Sequence, residues 1–445
     1  MAKLFGTDGA RGVANKELTS IIAYRIGQAA VKFLGNTIVV GKDTRLSGDM
    51  LENALEAGIM SMGGTALSVD IIPTPAIALL TRELHADAGA VISASHNPPE
   101  YNGIKFFDAN GFKLPVALEE RIEAYVLAGG EPPESLPNGD AVGFVAPVEN
   151  AAEIYIQHAV DVVRAQGIDF TGWKIALDTG HGASSVTSAE AFRRLGAEVV
   201  TINDDWSGTD INVECGSTCL GPTKALVAEC GATIGVAHDG DADRVMLVDA
   251  EGNELDGDVV ETVCAIDMKK RGCLPHDTVV STVMCNLGFR QAMAAAGIEV
   301  ERTSVGDRHV LERMREGGFA IGGEQSGHMI FLEHNSTGDG LMTACLFIAA
   351  CIRNGWTPEE AGRMMTHCPQ VLLNVKVADK HAFEWNKEIA AAVREAEAEM
   401  GDDGQILVRA SGTEPLIRVM VEASDEARAN EMAERIAAVV REELS

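Results

Sequence analysis

The sequence predicts an α/β protein built from four successive units. Short runs of β-branched residues alternate with longer amphipathic runs along the whole chain, the pattern left by strands laid between helices. With 445 residues and a 46% hydrophobic composition, there is apolar material for several cores, and ordinary domain sizes divide such a chain into about three or four. A Pro/Gly-rich segment at 129–139 precedes the first boundary.

The first unit covers residues 1–150, where 37–41 and 88–93 read as strands and 18–34 and 50–62 as helices. The second, 151–250, holds a strand at 173–178, a helix at 189–195 and a strand at 197–202. The third, 251–365, repeats the pattern through a strand at 278–283. Its apolar run 341–352, set between Asp339 and Arg353, is too short to cross a bilayer and reads as a buried helix. The fourth, 366–445, carries a strand at 416–421 and ends in a helix whose Met432, Ile436 and Val440 share one face. The Ala/Glu-rich stretch 389–400 reads as an exposed helix, and no sequence repeat is visible.

Composition narrows the classes of function. The N-terminal residues lack the apolar stretch and cleavage site of a secretion signal, and a cytoplasmic protein is expected. All nine cysteines lie at or after Cys215, with no Cys-x-x-Cys pair. An odd count so arranged argues against disulfides and structural zinc, and fits a reducing compartment. A formal charge of -30 repels nucleic acid and anionic membrane, so neither is expected as a partner. Any phosphate site must then be a local positive pocket.

Four loops can carry chemistry. In His238-Asp-Gly-Asp-Ala-Asp-Arg244, Asp239, Asp241 and Asp243 alternate between two apolar runs. Three carboxylates so close repel one another unless a hard cation neutralises them, and magnesium is the natural choice. A solvated acidic turn fits the same spacing. A calcium EF-hand does not, because its sixth and twelfth positions would be Arg244 and Ala250. Arg244 beside the acids suggests that an anion shares the metal. Ser95, in Ser93-Ala-Ser-His-Asn-Pro-Pro99, sits on the turn after a strand as a candidate carrier of that anion. His96 and Lys105 lie near it for proton handling. The same segment also fits an ordinary Asn-Pro turn.

In Gly322-Gly-Glu-Gln-Ser-Gly-His328, Glu324 and Ser326 point the same way if the segment is extended, and would suit neighbouring sugar hydroxyls. A Gly-rich turn with an exposed acid fits as well. The fourth loop, Arg409-Ala-Ser-Gly-Thr-Glu-Pro-Leu-Ile-Arg418, offers hydroxyls at Ser411 and Thr413, amides around Gly412 and two guanidinium groups that could surround a phosphate. It too could be a plain turn into a strand. Gly41-Lys-Asp-Thr lacks the spacing of a nucleotide loop, and Gly180-His-Gly-Ala-Ser-Ser has Ser185 where a dinucleotide loop needs its third glycine. No Gly-x-Ser-x-Gly elbow occurs.

Taken together and in this order, the four loops resemble those of the α-D-phosphohexomutase superfamily, over essentially the whole chain. Leu4-Phe-Gly-Thr-Asp-Gly, Thr303-Ser-Val-Gly-Asp-Arg and Gly412-Thr-Glu-Pro-Leu-Ile-Arg-Val-Met-Val-Glu are similar to its branch acting on glucosamine phosphates. The resemblance implies three similar α/β domains with mixed sheets and a smaller α+β C-terminal domain around a central cleft. It implies that Ser95 is phosphorylated, and that one Mg²⁺ is held by Asp239, Asp241, Asp243 and a phosphoryl oxygen on Ser95. Arg244 would steady the phosphoserine, and Arg11, His96 and Lys105 would line the reaction centre. Glu324, Ser326 and His328 match sugar-binding positions, and Arg409, Ser411, Gly412, Thr413 and Arg418 the clamp for the distal phosphate. Ala410, His238 and Pro99-Glu100-Tyr101 depart from the family pattern without removing a chemical group.

The implied reaction passes the phosphoryl of Ser95 to O1 of glucosamine 6-phosphate. The glucosamine 1,6-bisphosphate so formed returns its 6-phosphoryl and leaves glucosamine 1-phosphate. The resemblance suggests a homodimer, and it leaves open whether a kinase or a bisphosphate first loads the serine. Mannose or glucose phosphates as substrates would use the same loops. A non-catalytic metal-binding scaffold would need only the acidic one.

Overall fold

The computed structural model describes residues 5–6, 9–411 and 415–444, with Phe5, Glu384 and Asp402 described by backbone alone. The first sheet has seven strands, in the order Phe5–Gly6, Gly9–Val13, Tyr101–Asp108, Ala88–Ile92, Thr37–Lys42, Thr65–Ile71, Phe144–Pro147. The second runs Glu254–Leu255, Val245–Asp249, Ile234–His238, Lys174–Asp178, Glu198–Ile202, and the third Glu299–Thr303, Thr278–Thr282, Ile321–Gly323, Met329–Phe331. All three are mixed. The fourth is antiparallel, with Leu416–Ala423 between Gln370–Lys376 and Gly404–Ala410.

One topological feature recurs in the three mixed sheets. A parallel strand turns back into an antiparallel neighbour: Ala88–Ile92 into Tyr101–Asp108, Ile234–His238 into Val245–Asp249, and Ile321–Gly323 into Met329–Phe331. Those three reversals are the serine, acidic and Glu324 loops. The fourth loop likewise joins the antiparallel strands Gly404–Ala410 and Leu416–Ala423. Sequence comparison of the units shows no repeat because strand reversal needs only turn residues, not a common motif.

Most elements lie where the apolar periodicity puts them. Helix Ser20–Phe33 begins later than its apolar pattern, because Leu18 bridges to Ala14 and Thr19 caps the helix by accepting from Ile22 N–H. The run at 341–352 is buried within helix Gly340–Asn354. Helix Lys387–Met400 is exposed over most of its length, as expected, and turns a narrow stripe of Ile389, Ala396 and Met400 inward. The Glu-rich composition masks this narrow apolar stripe.

One apolar core runs through the first three units, from Val39 and Phe107 through Tyr155, Phe192 and Leu247 to Phe289, Phe347 and Met365. The fourth unit packs its own core around Ile417, Val421, Met432, Ile436 and Val440. Among its contacts with the third are those of two side chains facing each other in register, Gln405 and Glu422. Gln405 Nε2 donates to Val283 O and Cys285 O at 3.3 and 3.0 Å, while Glu422 Oε2 accepts Leu287 N–H at 2.7 Å.

Burial pushes Glu422 from the ordinary 4.5 up to about 7, against the Leu287 amide, Arg290 and His367, which favour its charge. Buried Asp258 lies close by and is itself held well above the carboxylate range, chiefly by burial. An acid whose folded-state pKa is raised stabilises the fold below its unfolded value and loses that contribution as pH rises through the folded one. Stability should therefore fall between pH 4.5 and about 7. Glu422→Gln should remove that part of the fall, roughly 1–3 kcal/mol, so that thermal melts of the two proteins diverge above neutrality and converge near pH 4.5.

Candidate active site

Three of the four loops meet. Ser95 Oγ donates to Asp239 Oδ2 at 2.6 Å across 144 residues of sequence, so serine and acid trio share one site. Ser95 is 2% exposed, and its φ of 51° lies in the left-handed region, unusual for a residue with a side chain. His96 Nδ1 stands 3.4 Å from the same oxygen. Burial lowers the His96 pKa, and Arg244 and Arg11 lower it further against the opposing pull of Asp243 and Asp241.

Asp239, Asp241 and Asp243 are all buried, and one ligand oxygen from each lies within 4.8 Å of the others. The tight turn places Ala242 at a φ of 54°. Neighbouring units complete the trio's surroundings. From the first, Lys105 Nζ reaches Asp241 Oδ2 at 3.0 Å and Asp243 Oδ2 at 3.5 Å, and Thr74 Oγ1 donates to Asp241 Oδ2 at 2.6 Å. From the third, His328 Nδ1 stands 3.7 Å from Asp243 Oδ2. Arg244 donates its backbone N–H to Asp239 Oδ1 at 3.2 Å and holds Nε 3.8 Å from Asp243 Oδ1. Arg11, on strand Gly9–Val13 opposite Gly103, completes the cationic side near His96.

Burial together with Asp243 and Asp241 raises Asp239 well above the carboxylate range. Burial would raise Asp243 as well, but Lys105 and His328 beside it hold it well below. The trio is thus short of positive charge. Oδ1 of Asp241 and Oδ1 of Asp243 are buried without a hydrogen-bond partner. Two orphaned hard oxygens in a cluster of three carboxylates fit a divalent cation with oxygen preference.

The third loop differs from the extended form that would align Glu324 with Ser326. Glu324 N–H donates to His328 O, and Gly327 N–H to Glu324 O, closing a turn at 3.1 and 2.9 Å. At Gly327 φ is 88°, and a Cβ there would stand 2.1 Å from Val245 O. A glycine is required for this loop to abut the acidic hairpin. Glu324 is half-buried and accepts Gly306 N–H at 3.1 Å, while Ser326 is exposed. His328 is buried between Asp243 and Asp307, with Nε2 accepting Gly338 N–H at 3.1 Å. It faces the acids, away from solvent. Gln325 is tied to Asp256 Oδ2 at 3.1 Å.

In the fourth loop Arg409 and Arg418 are direct cross-strand partners on one face. Like charges so placed repel unless an anion lies between them. Ser411 is buried, and its carbonyl accepts Lys380 Nζ at 2.7 Å. Gly412 and Thr413 lie outside the described residues. This loop is held by its own sheet and stands apart from the serine–acid cluster in the contacts just described.

Several site residues carry no role in the sequence reading: Arg45, Asp43, Ser93 and Asn212 around Ser95, Thr74 on Asp241, and Asp307 behind His328. Lys42-Asp-Thr-Arg45 lies at the end of strand Thr37–Lys42, where its spacing excludes a nucleotide loop and indicates no other role. A run of charged residues at a strand's end, in a segment otherwise apolar, was the available signal.

Known proteins match the chain throughout. The phosphoglucomutase/phosphomannomutase alpha/beta/alpha domains I, II and III match residues 2–132, 153–252 and 256–367, and the C-terminal domain of the same family matches 372–439. A phosphoglucosamine mutase from Carboxydothermus hydrogenoformans is 50% identical, over 99% of each chain. Among solved structures, a phosphoglucomutase/phosphomannomutase family protein from Burkholderia thailandensis superposes with a TM-score of 0.83 at 23% identity, covering 99% of this chain and 97% of that one. The N-acetylphosphoglucosamine mutase of Aspergillus fumigatus, in complex with GlcNAc-6P and magnesium, gives 0.70 at 18%, covering 99% and 96%.

Calorimetric titration with MgCl₂ should show binding to the wild type that Asp241→Asn weakens roughly tenfold or more, because one carboxylate of three loses its charge. Equal affinities would remove the trio as the cation site.

Proposed function

The chain belongs to the phosphoglucomutase/phosphomannomutase family, and from that premise we propose that it is an isomerase interconverting glucosamine 6-phosphate and glucosamine 1-phosphate through a phosphoserine at Ser95. The observation that carries the site assignment is the 2.6 Å bond from Ser95 Oγ into the acid trio. Identity of 50% across the full length to a phosphoglucosamine mutase favours the amino sugar over glucose or mannose.

In the forward half, the phosphoryl leaves Ser95 Oγ as its phosphorus bonds to O1 of glucosamine 6-phosphate. His96, 3.4 Å from Oγ, is placed to take the O1 hydroxyl proton and pass it to the departing Oγ. Glucosamine 1,6-bisphosphate then reverses in the site, its 6-phosphoryl returns to Oγ, and glucosamine 1-phosphate departs. No nucleotide is consumed. Asp239, Asp241, Asp243 and a phosphoryl oxygen on Ser95 would hold one Mg²⁺, which supplies positive charge for the oxygens sharing the transferring group. Arg244, Arg11 and Lys105 add cationic charge from three strands or their ends. Glu324 and Ser326 bind sugar hydroxyls, and His328 contributes by bracing Asp243. Arg409, Ser411, Gly412, Thr413 and Arg418 grip the phosphate that is not reacting. Units divided near 150, 250 and 365 would each bring one loop.

No helix among the described residues is long and apolar enough to cross a membrane. The nine cysteines are free thiols, several of them buried, which supports work in the reducing cytoplasm. There the product would feed nucleotide amino-sugar synthesis. A homodimer, and either a kinase or the bisphosphate as first phosphoryl donor, complete the proposal.

Intact-mass spectrometry should find one phosphoryl group on the wild type and none on Ser95→Ala. That variant should lose turnover by about 10⁴-fold or more while still binding sugar phosphate, because only the covalent carrier is deleted. Residual turnover near wild type would exclude Ser95. Arg409→Ala should raise KM by roughly 10- to 100-fold with the fold intact, the worth of a charge-assisted phosphate contact. Turnover of glucosamine, glucose and mannose phosphates side by side checks the sugar, with glucosamine expected to lead.

A further inference from the structure

The reactive serine is held by a residue with no part in the reaction just described. Arg45 lies beneath the Ser95 loop, 2% exposed, and all five of its N–H donors are used. Nε donates to Asp43 Oδ2 at 2.8 Å, Nη1 to Pro98 O at 2.5 Å and Tyr101 O at 3.0 Å, and Nη2 to Ser95 O and Asn97 O at 2.8 Å each. The other face of Ser95 is held through the same pair. Asp43 Oδ2 accepts Ser93 Oγ–H at 2.6 Å, and Ser93 Oγ in turn accepts Ser95 N–H at 2.9 Å. Asn212, from the second unit, donates to Ser95 O at 2.9 Å and Asn97 O at 3.2 Å. Both backbone groups of Ser95 are therefore taken by side chains.

This matters because the Ser95 backbone is not relaxed. A φ of 51° brings a Cβ too close to the following carbonyl oxygen, and such a conformation persists only where its surroundings over-determine it. A planar guanidinium spanning four carbonyls of one loop fixes their relative positions as no single-point donor can. We propose that Arg45 is the positioning residue of the phosphoryl carrier: it locks the Ser95 loop in the left-handed turn that aims Oγ into the acid trio, and it governs transfer without taking part in sugar binding.

The inference rests on the reading of Ser95 as the carrier, so the test follows two quantities. Phosphoryl uptake by Ser95 from glucosamine 1,6-bisphosphate is timed by intact-mass spectrometry, and kcat and KM are measured for glucosamine 6-phosphate. Wild type, Arg45→Lys and Arg45→Ala are compared, the last with and without guanidinium below denaturing concentration, and circular dichroism reports the fold. Uptake and kcat should drop about 100-fold in both variants, the cost of misplacing a reacting atom by about 1 Å, with KM changed by less than about threefold. Guanidinium should restore Arg45→Ala about tenfold and leave Arg45→Lys unimproved. Wild-type uptake in Arg45→Lys would overturn the proposal, as would a loss expressed mainly in KM or an absence of rescue. Loss of the native spectrum in both variants would assign Arg45 to the architecture and overturn it equally. Failure of the wild type itself to take up phosphoryl would sink the prior reading of Ser95.

Discussion

Three carboxylates confined to one short hairpin turn, buried and within touching distance of one another, set the terms for everything around them. With all three ionised the acids repel one another, and Lys105, Arg244 and His328 beside them offset that repulsion only in part. The unphosphorylated site accommodates this by holding Asp239 well above the carboxylate range and giving it the Ser95 hydroxyl as donor. A phosphoryl on Ser95 would remove that proton donor and add about two negative charges. A loaded serine and a divalent cation are thus coupled by charge balance: each makes room for the other, and neither is readily held alone.

That constraint also accounts for the packing of units. The acidic turn belongs to the second unit, but Lys105 and Thr74 come from the first and His328 from the third. Thr74 N–H donates to Asp241 O, Gly340 N–H to Ala242 O and Val245 N–H to Gly327 O, so the hairpin's backbone is held from both sides. Groups that must neutralise one another within hydrogen-bond distance cannot sit on units free to drift. A single apolar core through all three units supplies the rigidity, reinforced by Arg308 reaching across to both oxygens of Glu119 at 2.8 and 2.9 Å.

The sequence disclosed the four loops because their residue types are improbable together: serine beside histidine at a strand end, acids in alternation, hydroxyls between arginines. Strand and helix positions followed from periodicity wherever one face is apolar and long enough to see. What stayed hidden depends on partners far away in the chain. Arg45 touches carbonyls 50 to 56 residues on, and Asn212 is 117 residues from Ser95. A charged run at a strand's end marks the segment, but it does not tell a buried arginine from a surface one. At Glu324 the sequence leaves two conformations open for the opposite reason: Gly322, Gly323 and Gly327 permit either an extended chain or a reversal, and only the neighbouring hairpin at Val245 selects the turn. Helix Lys387–Met400 shows the same limit, its buried stripe of Ile389, Ala396 and Met400 being too sparse to outweigh the glutamates around it.

The fourth unit stands outside this rigid set, and its construction suits a different task. A ligand that presents first one phosphate and then the other to a fixed serine needs one grip that stays put and one that yields. The first three units share a core, so moving one against another would expose apolar surface at about 25 cal/mol for each Å². The fourth has a core of its own and reaches the third through polar contacts: Gln405 with Cys285, Arg290 and Arg302, Glu422 with Leu287, and His367 and Cys368 with Asp256 and Asn286. Exchanging hydrogen bonds of that kind for water costs on the order of 1 kcal/mol each. Reversing the ligand therefore need not disturb the acid trio: the energetic boundary between what must be rigid and what must release falls where the continuous core ends.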